Sequence, residues 1–178
     1  MDSINRNQPE QNRRDLDGPE AVKRVQDMVD EARSCFFCTE GAVGPSRGVR
    51  PMSVREVDDA GHIWFLSASD SHKNCELAGS PAVTLQFQAG AHAGFLQLEG
   101  RAEVSTDRAR IKELWNFMLR TWFTEGEGDL RITAIRFVPE RGYYWDNKHG
   151  SAVAGAKVAV GAALGKTLDD SIEGQLRF

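Results

Sequence analysis

Arg50-Pro51-Met52-Ser53-Val54-Arg55, a turn over Asp58-Asp59-Ala60-Gly61, then His62-Ile63-Trp64-Phe65-Leu66-Ser67 and Asp70-Ser71-His72-Lys73 form the stretch on which the fold turns. Two strand-like runs around an Asp- and Gly-containing turn predict a β-hairpin, and Ser71 suits the N-cap of a short helix over residues 74–78. Pairing of the two runs would carry Arg50 across the sheet from the region of Ser67. The free backbone N–H groups of the helix start, with Lys73 in its first turn, offer a phosphate site. A hairpin and a capped helix start with cations at their margins suit an anionic ligand that also has a flat apolar part. The same residues equally describe an ordinary hairpin with a solvated helix, so the stretch by itself sets local structure and leaves the ligand open.

Working back toward the N-terminus, Cys35-Phe36-Phe37-Cys38-Thr39 reads as a short buried strand. Its Cys-x-x-Cys spacing invites a redox or zinc reading. A redox pair belongs at a helix N-terminus that lowers a thiol pKa, whereas residues three apart on a strand point to opposite faces, and no second pair completes a zinc set. Buried structural cysteines are therefore expected. Before this strand, Pro19 opens a helix whose Val22, Val25, Val29 and Ala32 recur at helical spacing. Residues 1–18 are polar, with Ile4 and Leu16 as the large aliphatic residues after the initiator, and predict a mobile arm.

Toward the C-terminus, Gly79 and Pro81 should end the short helix. Val83, Leu85 and Phe87 then alternate with polar partners, as do Leu96, Leu98, Gly100, Ala102 and Val104, so two strands with one wet face follow. Gly100 inside the second predicts a bulge or a close backbone approach. Asp107 caps a helix whose Ile111, Leu114, Trp115, Met118 and Trp122 form one apolar stripe, read as core packing in preference to a ligand box. Residues 130–138 and 142–145 supply the last two strands. Gly161 to Thr167 resembles a phosphate loop, but its spacing fails by one residue, so residues 156–164 read as a small-residue helix stopped at Gly165.

The chain of 178 residues has room for one domain with a real core. A net charge of -4 without a basic stripe argues against a nucleic-acid partner. No run approaches the length of a membrane span, the N-terminus lacks a signal-peptide core, and three cysteines make no disulfide framework, so a cytoplasmic protein is expected. The four histidines are scattered and predict no metal site.

Six or seven short strands with flanking helices predict a mainly β (α+β) fold, a small antiparallel split β-barrel occupying residues 19–155, with a C-terminal helix and tail over residues 156–178. The sequence also resembles the pyridoxamine 5'-phosphate oxidase-like, FMN-binding split-barrel superfamily, and within it the general stress protein 26 group. The likeness rests on Arg50-Pro51-Met52-Ser53, Trp64-Phe65-Leu66-Ser67, Ser71-x-Lys73, Leu114-Trp115 with Trp122-Phe123, and Tyr144-Trp145-Asp146, in register through roughly residues 20 to 175. It implies FMN, or FAD, held at the interface of a homodimer. In similar proteins the residues matching Arg50 and Lys73 face the flavin phosphate with Ser71 beside them. Those matching Phe65, Leu66 and Ser67 run along the flavin, and the one matching Trp145 approaches from the partner subunit. The resemblance also implies that the Pro51-Met52-Ser53 segment belongs to the cofactor site.

Departures from the oxidase itself narrow the expectation. Its flavin-contacting glutamine falls on Phe95, and its substrate-holding Arg-x-His after the final tryptophan has no counterpart in residues 146–151. A flavoprotein of the general stress type is therefore expected ahead of a pyridoxamine or pyridoxine 5'-phosphate oxidase. A flavin-free haem-binding or interaction module on the same barrel is the third alternative. No catalytic side chain is assigned, because a flavin carries its own redox chemistry.

Overall fold

A computed structural model describes residues 12–41, 46–90, 94–149, 155–157, 159–160 and 170–178. In chain order the elements are β1 (Leu16–Asp17), α1 (Pro19–Ala32), β2 (Ser34–Thr39), β3 (Val49–Ser53), β4 (Glu56–Val57), β5 (Ile63–Ala68), α2 (His72–Gly79), β6 (Ala82–Gln88), β7 (Phe95–Ser105), α3 (Arg108–Leu114), β8 (Ile132–Asn147) and β9 (Ser171–Arg177). Nine strands make one mixed sheet in the order β1-β9-β8-β7-β6-β2-β3, with β5 attached to β8 and β4 to β5. The sheet is not closed into a barrel. The mainly β class with flanking helices is as expected, and the strand count exceeds the expected six or seven.

β8 is the spine. One of its edges pairs with β7 from Phe95↔Trp145 to Ser105↔Ala134, while its other edge serves β5 through residues 132–137 and β9 through residues 141–147. The two strands expected in this region are thus one, bent where Gly100 meets it. The β7–β8 register shifts between Glu99 and Gly100, and a Cβ at Gly100 would stand 2.1 Å from the Val138 carbonyl oxygen. Only glycine lets the two backbones approach this closely, and the bulge lets one strand serve two half-sheets.

The core lies between the sheet and α1, whose Ala21, Val25, Met28 and Val29 face inward. Phe37 of β2 and Phe65 of β5 meet edge to face across the interior, with ring centroids 5.4 Å apart and both fully buried. Each ring contributes roughly 1.5–3 kcal/mol of burial. They join strands that share no hydrogen bond. A second, smaller cluster of Leu66, Ile111, Leu114, Phe123, Ile132 and Ala134 sits under α3.

Four local expectations are corrected. The hairpin is shorter than read: β4 pairs with β5 through Glu56↔Trp64 and Val57↔Ile63, while β3 pairs with β2, setting Arg50 opposite Phe37 and not across from Ser67. Pro51 contributes no amide hydrogen, and Val54 turns its own to the Arg33 carbonyl, so the chain leaves one ladder before entering the next. Residues 12–18 do not form an arm: Leu16 is buried, β1 runs parallel to β9, and the Tyr144 hydroxyl donates to the Arg14 carbonyl at 2.8 Å. Residues 1–11 lie outside the described residues.

The Ile111-to-Trp122 stripe is not one helix. α3 ends at Leu114, Trp115 and Asn116 are extended, and a 3₁₀ turn covers Phe117–Thr121, so Ile111 and Leu114 are core while Phe117, Met118 and Trp122 are about 70% exposed. The C-terminal region holds β9, a strand not foreseen. Residues 155–157 and 159–160 are helical, whereas the phosphate-loop-like segment falls outside the described residues.

The turn after β4 forms as read. Asp58 accepts from the Trp64 indole at 2.9 Å and from the His62 amide at 2.9 Å, and Gly61 takes a positive φ of 81° that glycine adopts without strain. Burial pushes the Asp58 carboxyl up, but these donors together with His62 outweigh it and leave its pKa below the ordinary value.

Candidate functional site

Among the described strands, β3 and the C-terminal half of β5 both carry a free edge near the start of α2 in sequence or contact. β3 ends the sheet with one edge free. β5 has β4 beside only Ile63 and Trp64, so the edge of Phe65, Leu66, Ser67 and Ala68 opposite β8 carries no partner strand. α2 starts directly after β5 and turns its first residues toward this opening. The split is the physical outcome of the short β4.

Lys73 is the centre of the cluster. Its ammonium donates to Ser67 Oγ and lies 3.4 Å from Ser71 Oγ, and the two hydroxyls are 3.1 Å apart. Ser71 also caps α2, its oxygen accepting from the Asn74 amide, as the sequence predicts. Asn74 Nδ2 donates to Thr133 Oγ1 at 2.9 Å, and Thr133 Oγ1 donates to the Ser67 carbonyl at 3.1 Å, fixing the strand end to the helix start.

Arg50 comes from β3 with its side chain mostly buried. Nη1 donates to Thr39 Oγ1 at 3.2 Å, and Nη2 is 2.6 Å from Glu76 Oε2. That second contact is an ion pair by proximity. Its angle gives Nη2 no hydrogen bond, and the Asn74 Oδ1 atom is likewise buried without a partner among the described residues. Thr39 donates to the same carboxylate oxygen at 2.6 Å.

Two cations and one carboxylate thus share a space screened from water. Burial first, and the Arg50 guanidinium second, push the Lys73 pKa down from 10.5 to about 8, with Glu76 acting in the opposite direction. A desolvated ammonium beside a guanidinium is what an incoming anion would relieve. The arrangement gathers two cationic side chains and two hydroxyls around one buried carboxylate.

The other predicted residues divide between two faces. Phe65 is core, Leu66 belongs to the cluster under α3, and both can offer only backbone to the open edge. Met52 packs partly against the core, while Pro51 and Ser53 point to the opposite face of the β2–β3 ladder. There Pro51 pairs across to Phe36, and the row continues through Gln86 and Gln97.

Pro51, Phe36, Phe95 and Trp145 line a groove of about 430 Å³ on this face. Trp145 stacks at a tilt on Tyr143, with centroids 4.6 Å apart. Within the chain, then, Arg50, Ser67, Ser71 and Lys73 come together, and Trp145 is not among them.

Sequence reasoning missed Thr39 and Glu76. Glu76 lies three residues after Lys73 on the same helix face, a spacing that was legible; Thr39 needed the β2–β3 register. Cys35 is buried, which pushes its thiol up, and burial also raises Cys38 against the pull of Arg50. Among the described residues no cluster of His, Cys, Asp and Glu could hold a metal ion.

An open β-sheet split beside a cationic helix start defines a class, and the comparisons agree with it. The family model described as pyridoxamine 5'-phosphate oxidase like matches residues 20–169, and the chain belongs to that family. General stress protein 26 structures are among the solved proteins it resembles. A general stress protein 26 from Jannaschia sp. CCS1 is 27% identical, with 88% of this chain and 98% of that one covered and a TM-score of 0.67.

A general stress family protein from Xanthomonas campestris pv. campestris is 24% identical over 74% of this chain and 88% of that one, with a TM-score of 0.61. The general stress FMN/FAD binding protein of Xanthomonas citri is 23% identical over 68% of this chain and 84% of that one, with a TM-score of 0.59. A search of curated proteins finds no match.

Proposed function

We propose that this chain is an FMN-binding flavoprotein of the general stress type, working as a cytoplasmic homodimer, with FMN or the larger FAD as its cofactor. The observation that carries the reading is the Lys73 ammonium, buried among hydroxyls beside Arg50, which favours a bound anion. The residues fit a flavin phosphate. Lys73, Ser67 and Ser71 offer donors, Arg50 Nη2, ion-paired with Glu76 but without a hydrogen bond, offers another, and the free edge of Phe65, Leu66 and Ser67 offers backbone groups. Support also comes from the Xanthomonas citri relative, described as FMN/FAD binding.

A bound flavin supplies two-electron and one-electron redox chemistry. The chain's own residues bind and orient it. An oxidoreductase role follows, with the oxidase alternative disfavoured by the side chains that would have to hold its substrate. Arg55 Nε donates to the Leu114 carbonyl at 2.9 Å, Lys148 Nζ to Asn12 Oδ1 at 2.8 Å, and His149 Nδ1 pairs with Asp170 at 2.7 Å. All three are engaged in structure.

The homodimer reading rests on the groove face, where Phe36 is 55% exposed and Phe95 and Trp145 each 43%. Aromatic residues at this exposure on a sheet face suit an interface with a second copy. No described helix is long and apolar enough to cross a membrane.

The test is to strip the protein of small molecules and titrate it with FMN and riboflavin, following flavin fluorescence, in wild type, Arg50→Ala and Lys73→Ala. Each substitution should weaken FMN by roughly ten- to a hundredfold, the size of one charge-assisted contact, and riboflavin much less. Equal losses for the two flavins, or no binding of either by wild type, would overturn the reading.

A further inference from the structure

Glu76 is an unexpected group to find at a phosphate site. It is 4% exposed, and its carboxylate touches both Thr39 and Arg50. Nor is it free to swing away on the Gly41 side: a Cβ at Gly41 would lie 2.6 Å from Glu76 Cγ, so the side chain is packed directly on that backbone. Its field also reaches Lys73, one helical turn away.

We propose that Glu76 is a specificity-determining residue of this site, offsetting one of its positive charges so that a doubly charged phosphate monoester gains no advantage over a singly charged diester. The assignment rests on the flavin reading above and deepens it. Arg50 and Lys73 contribute two positive charges and Glu76 one negative, leaving a single positive charge. A phosphate monoester carries about -1.5 to -2 near neutral pH. It therefore brings more negative charge than the cluster balances, and the excess faces a buried carboxylate already ion-paired with the arginine. A phosphodiester carries one charge and leaves the cluster neutral. Like charges in a screened space repel strongly, so removing the carboxylate should benefit the monoester selectively.

The experiment compares FMN, the methyl ester of its phosphate and riboflavin on the stripped full-length protein, in wild type and Glu76→Gln. Glutamine keeps the shape and an acceptor for Thr39. Wild type should bind FMN and the methyl ester within about threefold of each other, and Glu76→Gln should prefer FMN by about tenfold or more, riboflavin affinity staying level. An unchanged FMN-to-ester ratio in a variant that binds flavin would sink this assignment alone. Failure of both proteins to bind any of the three flavins would sink the flavin reading and the assignment with it. If Glu76→Gln does not fold, the wild-type ratio decides: parity supports the assignment, and a preference for FMN above about a hundredfold overturns it.

Discussion

Raising the pH should release FMN through Lys73, and the size of the effect follows from its surroundings. Burial and Arg50 hold its pKa at about 8 without ligand, so about nine in ten ammonium groups are charged at pH 7 and about one in ten at pH 9. A bound phosphate favours the charged form and raises that pKa. Above pH 8, then, each pH unit should cost FMN about tenfold in affinity, until the pKa of the complex is reached. If the phosphate returns the group to its ordinary 10.5, the total loss is roughly 3 kcal/mol.

The same shift acts on stability in the opposite sense. The unfolded chain holds this proton up to pH 10.5, the folded one only to about 8, so between these values the unfolded state binds more protons and the fold gains stability as pH rises. Titrations of FMN and riboflavin from pH 7 to 9.5, by fluorescence, separate the two. FMN affinity should fall while riboflavin stays flat, and Lys73→Met should flatten the FMN curve. A parallel decline for both flavins, or a Lys73→Met curve with the wild-type slope, would refute the reasoning.

Leu16→Ala should destabilise the fold by about 2–4 kcal/mol in a denaturant titration, since Leu16 is buried against the body of the domain. Gly100→Ala should cost about 3 kcal/mol or more in the same assay, because its methyl would collide with the Val138 carbonyl. Trp145→Glu should give a folded monomer by sedimentation if the groove face joins two copies, and a dimer unchanged by it would place the interface elsewhere. Pyridoxamine 5'-phosphate should not be oxidised by the flavin-loaded protein in single-turnover absorbance experiments; turnover at a rate typical of enzymes would reopen the oxidase reading.

Local chemistry was legible wherever a rule acts within a few residues. Ser71 as a cap, the Asp58–Gly61 turn, the Gly100 bulge and the Asp107 cap each depend on near neighbours, and each forms as read. Partner choice between strands was less accessible. The segment from Arg50 to Arg55 looks continuous with a hairpin, yet β3 pairs with β2, a partner outside that segment. The Trp115–Trp122 stripe failed for a related reason. Its helical period persists in sequence, but α3 ends at Leu114, and the cluster beneath it is completed by Trp115, Leu119 and Phe123 from irregular and 3₁₀ chain in place of a continued helix.

The strand order and the arrangement of the cations are connected. Had β3 paired with β5, the edges of both strands would have been filled and the backbone of Phe65, Leu66 and Ser67 spent on a ladder. Because β4 has only two residues, those edges stay open, and Arg50 reaches the α2 start from the side through Thr39 and Glu76. The cationic residues singled out from the sequence still converge, by a route the sequence did not suggest. What the route adds is the carboxylate: an arginine arriving from β3 lies against Thr39 of β2 and Glu76 of α2, so the same strand order brings the cations and a buried negative charge together.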